Sequence, residues 1–156
     1  MGLSTFTYQG FVQSDWVDYN GHMNDAAYAK AFSLAVDTFI EFIGLDEDAR
    51  RINAYTVFTL ETHLCYLMEV RDGEAFDISV QLLDSDAKRL HVFFAMKNDS
   101  KDMIATSEQM LMGIDTDKER PSPFPSAIRA NVEELQNKHQ QLGIPKQVGR
   151  RIGISR

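Results

Sequence analysis

Hydrophobic and polar positions alternate in short runs along most of this chain and change to a three- or four-residue spacing in two places. Residues 5–13, TFTYQGFVQ, are aromatic and threonine-rich and predict a first strand. From Asn24 the apolar residues Tyr28, Phe32, Ala35, Phe39 and Ile43 recur at helical spacing, and Val36 and Ile40 widen the stripe. Asn24 suits the cap of that helix, Asp25 its positive end, and Gly44 its close. So broad an apolar stripe predicts a helix wrapped by a sheet. Four strand-like runs follow, at 54–66, 74–83, 88–97 and 103–115. In the first, alternation places Phe58, Leu60 and Leu64 on one face and Glu61 and His63 on the other; in the second, Phe76, Ile78, Val80 and Leu82 share a face. The connectors RDGE, DSDAK and NDSKD are short and made of turn residues, which predicts an antiparallel meander. The prolines of RPSPFPS end the sheet, and AIRANVEELQNKHQQLG reads as a polar terminal helix.

This order predicts an α+β domain: a curved antiparallel sheet around one long central helix, plus a C-terminal helix. Residues 1–120 form its body, and residues 121–156 form a helix and basic tail that pack on it or extend from it. A single sheet of this kind leaves an edge, so a homodimer or a dimer of dimers is expected. The length of 156 residues fits one domain, and 44% hydrophobic residues are too many for a generally disordered chain. No run approaches the roughly 18 apolar residues of a membrane span, and the first residues lack the pattern of a secretory signal, so a soluble, cytoplasmic protein is expected. The lone cysteine, Cys65, excludes an internal disulfide framework and reads as a small buried hydrophobe. A net charge of −7 argues against general attraction to nucleic acid or an anionic membrane. The tail KQVGRRIGISR is the local exception, with Lys146, Arg150, Arg151 and Arg156 and no acid; it can reach a phosphate or remain a solvated terminus.

Between the first strand and the long helix lies DYNGHMNDAAY, residues 18–28, where an acid, two amides, a glycine and a histidine stand in place of a plain turn. This segment resembles the active-site segment of the hotdog-fold acyl-CoA thioesterases of the 4-hydroxybenzoyl-CoA thioesterase type. The fuller DWVDYNGHMNDAAYAKAF, with TLETHLCYLMEV and RLHVFF, is most similar to the thioesterases associated with carnitine breakdown and linked to betainyl-CoA. The match covers roughly residues 7–115. It implies a hotdog fold and hydrolysis of a small acyl-CoA thioester, with coenzyme A entering as part of the substrate and no metal or redox cofactor.

In the resembling enzymes an acid three residues before the glycine acts as nucleophile or general base, and Asp18 holds that position. Without the resemblance, Asp18 also suits a plain turn. Asp15 is spaced differently from the second acid of the benzoyl enzymes and receives no role. Gly21 lets the backbone approach a ligand, and the helix start beyond it offers unpaired N–H groups to an oxyanion, with that of Asp25 as the main donor. His22 has two readings, orienting substrate or Asp18 and a structural one; Asn24 is both a cap and a candidate for positioning water. The face carrying Glu61 and His63 is either solvated or the wall of a cleft between subunits. In the cleft reading, Glu61 with Trp16, Tyr19 or Tyr66 would hold a trimethylammonium head, which accepts only aromatic faces and carboxylates as partners; the alternative for the aromatics is packing. Lys88, Arg89 and the tail arginines are candidates for the CoA phosphates. The competing reading of the whole chain is a non-catalytic acyl-CoA or acyl-chain binding protein on the same scaffold, with an enoyl-thioester hydratase third.

Overall fold

A computed structural model describes residues 5–156 of the chain. Strand β1 (Thr7–Phe11) leads through a 3-10 turn (Ser14–Trp16) and a polar ribbon into α1 (Asp25–Phe42). After α1 come a short helix α2 (Glu47–Asn53) and the strands β2 (Tyr55–Tyr66), β3 (Ala75–Ser85), β4 (Arg89–Asn98), β5 (Met103–Asp115) and β6 (Arg120–Pro121), then α3 (Ser126–His139). All strand pairs are antiparallel, in the order β1-β3-β4-β5-β2, with β6 on β5.

Helix α1 starts and stops where its sequence directs. The Asn24 side chain accepts from the Ala27 N–H at the start. At the end Gly44, with φ +110°, lets the Leu45 N–H reach the Ile40 carbonyl and the Gly44 N–H that of Glu41, a Schellman closure. Phe32 and Phe39 of α1 pack on Phe94 of β4, so Leu90, Val92, Phe94 and Met96, all buried, face the helix. Their partners across β5, Leu111, Gln109, Ser107 and Ala105, share that inner face.

Three expectations need correction. The strands after α1 do not form a single meander: β3, β4 and β5 do, but β2 pairs with β5 and is an edge of the sheet. The turn residues 71–74 connect β2 to β3 across the sheet, with the Gly73 N–H donating to the Val12 carbonyl and the Val12 N–H to that of Glu74 beside the end of β1. Second, a bulge at Leu60 breaks the alternation of β2, because Thr59 pairs with Leu111 and Glu61 with Met110. Thr59, Thr62, Leu64 and Tyr66 therefore face α1, while Phe58, Glu61 and His63 face outward. Third, α2 falls where no element was expected; Asp46 caps it by accepting from the Ala49 N–H.

Helix α3 belongs to the same core through Ile128, Val132 and Leu135. Its last residue, His139, accepts the Leu82 N–H on Nδ1 at 2.8 Å, beside a second bulge in β3. Beyond α3 the tail crosses the outer face of the sheet: Gln81 Nε2 donates to the Gly143 carbonyl, Gln147 is buried, and the Gly149 N–H donates to Glu108 Oε1 at 2.7 Å. Residues 151–156 are exposed. No helix among the described residues is long and apolar enough to cross a membrane.

Candidate active site

The polar ribbon is a tight hairpin that delivers the chain to the first turn of α1. The Gly21 N–H donates to the Asp18 carbonyl and the Asp18 N–H to the His22 carbonyl, 2.9 and 2.8 Å, with Gly21 at φ +79°. Aspartate first and glycine fourth are the residues this turn favours. Asp18 Oδ1 accepts from the Asn20 N–H at 2.8 Å and the His22 N–H at 3.3 Å. The carboxylate is thus aimed by two backbone amides, and in the single chain it is exposed. Trp16 anchors the base of the ribbon: its carbonyl accepts from both the backbone N–H and the side-chain Nδ2 of Asn24.

At the helix start, Asn24 takes the Ala27 N–H and the Asp25 carboxylate takes the Ala26 N–H at 3.0 Å. The Asp25 N–H has no intrahelical acceptor at that position and belongs to the positive end of the dipole. Beside it opens a cleft of about 330 Å³ lined by Met23, Asp25, Tyr28, Tyr66, Leu67, Met68 and Glu69. Tyr28 and Tyr66 meet edge to face at 5.2 Å, and the Tyr28 hydroxyl donates to the Met68 carbonyl. Burial and then the nearby Glu69 push the Tyr28 phenol up; burial and then Asp25 do the same for Tyr66.

The expected site residues divide into groups. Asp18, Gly21, His22, Asn24, Asp25 and Tyr66 lie on the ribbon, the helix start or the cleft beside it. The His22 side chain faces Glu69, Nε2 to Oε2 3.4 Å, and only its backbone N–H touches the Asp18 carboxylate. Trp16 is 8% exposed and packs near Phe76, so the packing alternative describes its surroundings. Tyr19, 97% exposed, stands at the tip of the hairpin. Glu61 and His63 lie across the sheet from α1, in an outer hollow of about 490 Å³ shared with His91, Glu108 and Arg150. Lys88 and Arg89 sit at the far end of the sheet: Arg89 is level with Met112 and Phe58, eight residues or about 26 Å along β2 from Tyr66. Arg89 is also engaged by Asp86 at 2.6 Å, which holds the Asp86 carboxyl down at about 2.

No motif in the sequence marks Glu69, just beyond β2, or Gln109, which faces inward on β5 beside Leu111, Ser107 and Ala105. Gln109 is 4% exposed; its Nε2 donates to Ser107 Oγ, and Oε1 is buried without a partner. Among the described residues no group of three or more histidines, cysteines or carboxylates is arranged to hold a metal ion.

A curved antiparallel sheet around a central helix, with an acid-bearing ribbon at the open helix start, defines a class: the chain belongs to the thioesterase-like superfamily, whose model matches residues 12–132. It has the hotdog fold. More particularly, it is 43% identical over 149 residues to a betainyl-CoA thioesterase of Pseudomonas aeruginosa, covering 95% of this chain and 94% of that one. It is 37% identical to an L-carnitine dehydrogenase/betainyl-CoA thioesterase of Rhizobium meliloti, of which it spans 29% of the length while 93% of this chain is matched. A Staphylococcus aureus protein solved in complex with CoA superimposes with a TM-score of 0.92 at 34% identity, covering 99% of this chain and 98% of the other. A 1,4-dihydroxy-2-naphthoyl-CoA thioesterase of Synechocystis shares the fold, with a TM-score of 0.73 at 13% identity over 85% of this chain and 98% of the other.

Proposed function

We propose that the protein hydrolyses small acyl-CoA thioesters, with betainyl-CoA as the particular substrate. The observation that carries this reading is the hairpin, which holds the Asp18 carboxylate by two backbone amides on the ribbon that leads into the first turn of α1 at Asp25. In the proposed reaction the thioester oxygen accepts from the Asp25 N–H while the carbonyl carbon is attacked. Asp18 either takes a proton from the attacking water or attacks first itself, to be released by water in a second step. A carbon–oxygen bond forms, the carbon–sulfur bond breaks, and coenzyme A leaves as the thiol with a proton; only water and thioester are consumed. The likeness to a betainyl-CoA thioesterase over nearly the whole of both chains supports the choice of acyl group.

The same reading places the enzyme in the cytoplasm as a homodimer or dimer of dimers. Support for assembly comes from β2, a twelve-residue edge strand with Phe58 and Leu60 half exposed. A second copy pairing antiparallel about the middle of β2 would set its own Lys88–Arg89 corner beside the Tyr66 end of the first, where CoA phosphates need cations. It would also cover the ribbon and dry the Asp18 carboxylate. Thiol release from a panel of acyl-CoAs tests the function: a hydrolase liberates CoA, whereas a binding protein or a hydratase liberates none.

A further inference from the structure

We infer that the cleft beside the helix start is the pocket for the cationic head of the acyl group, with Tyr66 supplying the aromatic face and Glu69 the carboxylate. This rests on the proposed thioester hydrolysis and goes on to name the residues that select the acyl group. The argument is one of reach. With the carbonyl oxygen on the Asp25 N–H, the nitrogen of a betainyl group lies two bonds beyond the carbonyl carbon and its methyls three. At about 1.2 Å advanced per bond of an extended chain, the methyls are roughly 3.5 Å away. So short a reach suits the cleft that Asp25 itself lines together with Tyr28, Tyr66 and Glu69. It does not approach Glu61, on the opposite face of the sheet, and Trp16 is enclosed in the core.

The chemistry of the lining matches that cargo. A quaternary ammonium has no N–H to donate and binds to π-faces and anions. Tyr66 is 50% exposed and is propped edge to face by Tyr28, whose hydroxyl is fixed on the Met68 carbonyl. Asp25 and Glu69 give the cleft two carboxylates, and neither lysine nor arginine lines it. His22 Nε2 stands 3.4 Å from Glu69 Oε2. Met23 and Met68 complete an apolar wall suited to methyl groups.

The test compares betainyl-CoA with 3,3-dimethylbutanoyl-CoA, in which carbon replaces the charged nitrogen and shape is kept. The ratio of kcat/KM for the two substrates is the readout. Glu69→Gln and Tyr66→Leu should each lower that ratio about tenfold, or about 1.4 kcal/mol, chiefly through KM for betainyl-CoA. Tyr66→Phe, which keeps the ring, should hold the ratio within about twofold of the wild type. Equal losses on both substrates, or a Tyr66→Phe ratio as low as that of Tyr66→Leu, would overturn the inference. Wild-type enzyme that cleaves the neutral analogue and not betainyl-CoA would also overturn it while leaving the hydrolase reading intact; cleavage of neither would remove both.

Discussion

The oxyanion donor proposed for this site is a backbone N–H, which ordinary substitution leaves in place, but its position in α1 permits a direct deletion. Asp25 is the first residue of the helix, where proline is favoured because its missing N–H has no intrahelical acceptor to lose. The preceding Asn24 has φ −78° and ψ 159°, the extended backbone that a following proline demands. Asp25→Pro should therefore fold. It forfeits the carboxylate that accepts the Ala26 N–H, worth about 0.3–1 kcal/mol at a helix start, and gains about 0.4–1 kcal/mol from a stiffer unfolded chain. The two nearly cancel, and Tm should move by no more than about 3 °C. Catalysis should respond quite differently, since losing one oxyanion donor raises the barrier by about 3–4 kcal/mol, or roughly 10²–10³ in kcat. Asp25→Ala, which retains the N–H and lacks the same carboxylate, is the control. Thermal melts and steady-state thiol release on both variants decide the matter. A folded Asp25→Pro enzyme turning over within about threefold of Asp25→Ala would refute the assignment of the donor.

Asp18→Asn keeps an oxygen for the Asn20 and His22 N–H groups, so stability should drop by only about 1 kcal/mol while kcat falls by about 10²–10⁴ and CoA affinity, measured by calorimetry, changes little. Burial, then Lys138, depress the His139 pKa below its ordinary 6.5, and Lys97 lines the same recess, so the unfolded state takes up the proton first. Its contribution is therefore complete above about pH 6.5 and is lost as pH falls below it; chemical denaturation should show this slope in the wild type and a flatter one in His139→Leu. Gly113→Ala would set a Cβ 1.7 Å from the Tyr55 hydroxyl, which donates to the Ser122 carbonyl, and should cost about 1–3 kcal/mol or more in a urea titration. Gln109→Met combined with Ser107→Ala removes the unpartnered Oε1 together with both ends of the buried Nε2–Oγ bond, so the melting temperature of the double variant should stay close to that of the wild type; a loss of more than about 5 °C would refute this.

Much of the architecture was legible because local chemistry and global fold agree. Asn24 and Gly44 mark the ends of α1 through a cap and a left-handed closure, and the alternation of Phe76, Ile78 and Leu82 turns them all to the core. What stayed hidden depends on partners distant in sequence. The turn residues 71–74 look like a hairpin, and only the end of β1 receiving them shows that they are a crossover. The bulge at Leu60 reverses every later side chain of β2, so Glu61 and Leu64 exchange the faces that strict alternation gave them. For the site, the hairpin of DYNG follows from its turn preferences, whereas Glu69 emerges only when Met23 pairs with Val70 and brings that segment to the helix start. The basic tail read as a choice between phosphate binding and a frayed end; its first residues instead lie on the sheet, where Gly149 is held by Glu108.

That strap matters to anyone handling the protein. Because Leu142 and Pro145 share one recess with the buried Phe93 and Ala95 of the outer sheet, clipping the chain just after α3 would bare sticky strands and invite precipitation. An affinity tag joined to Arg156, by contrast, extends from a segment already in water and should leave purification and turnover undisturbed.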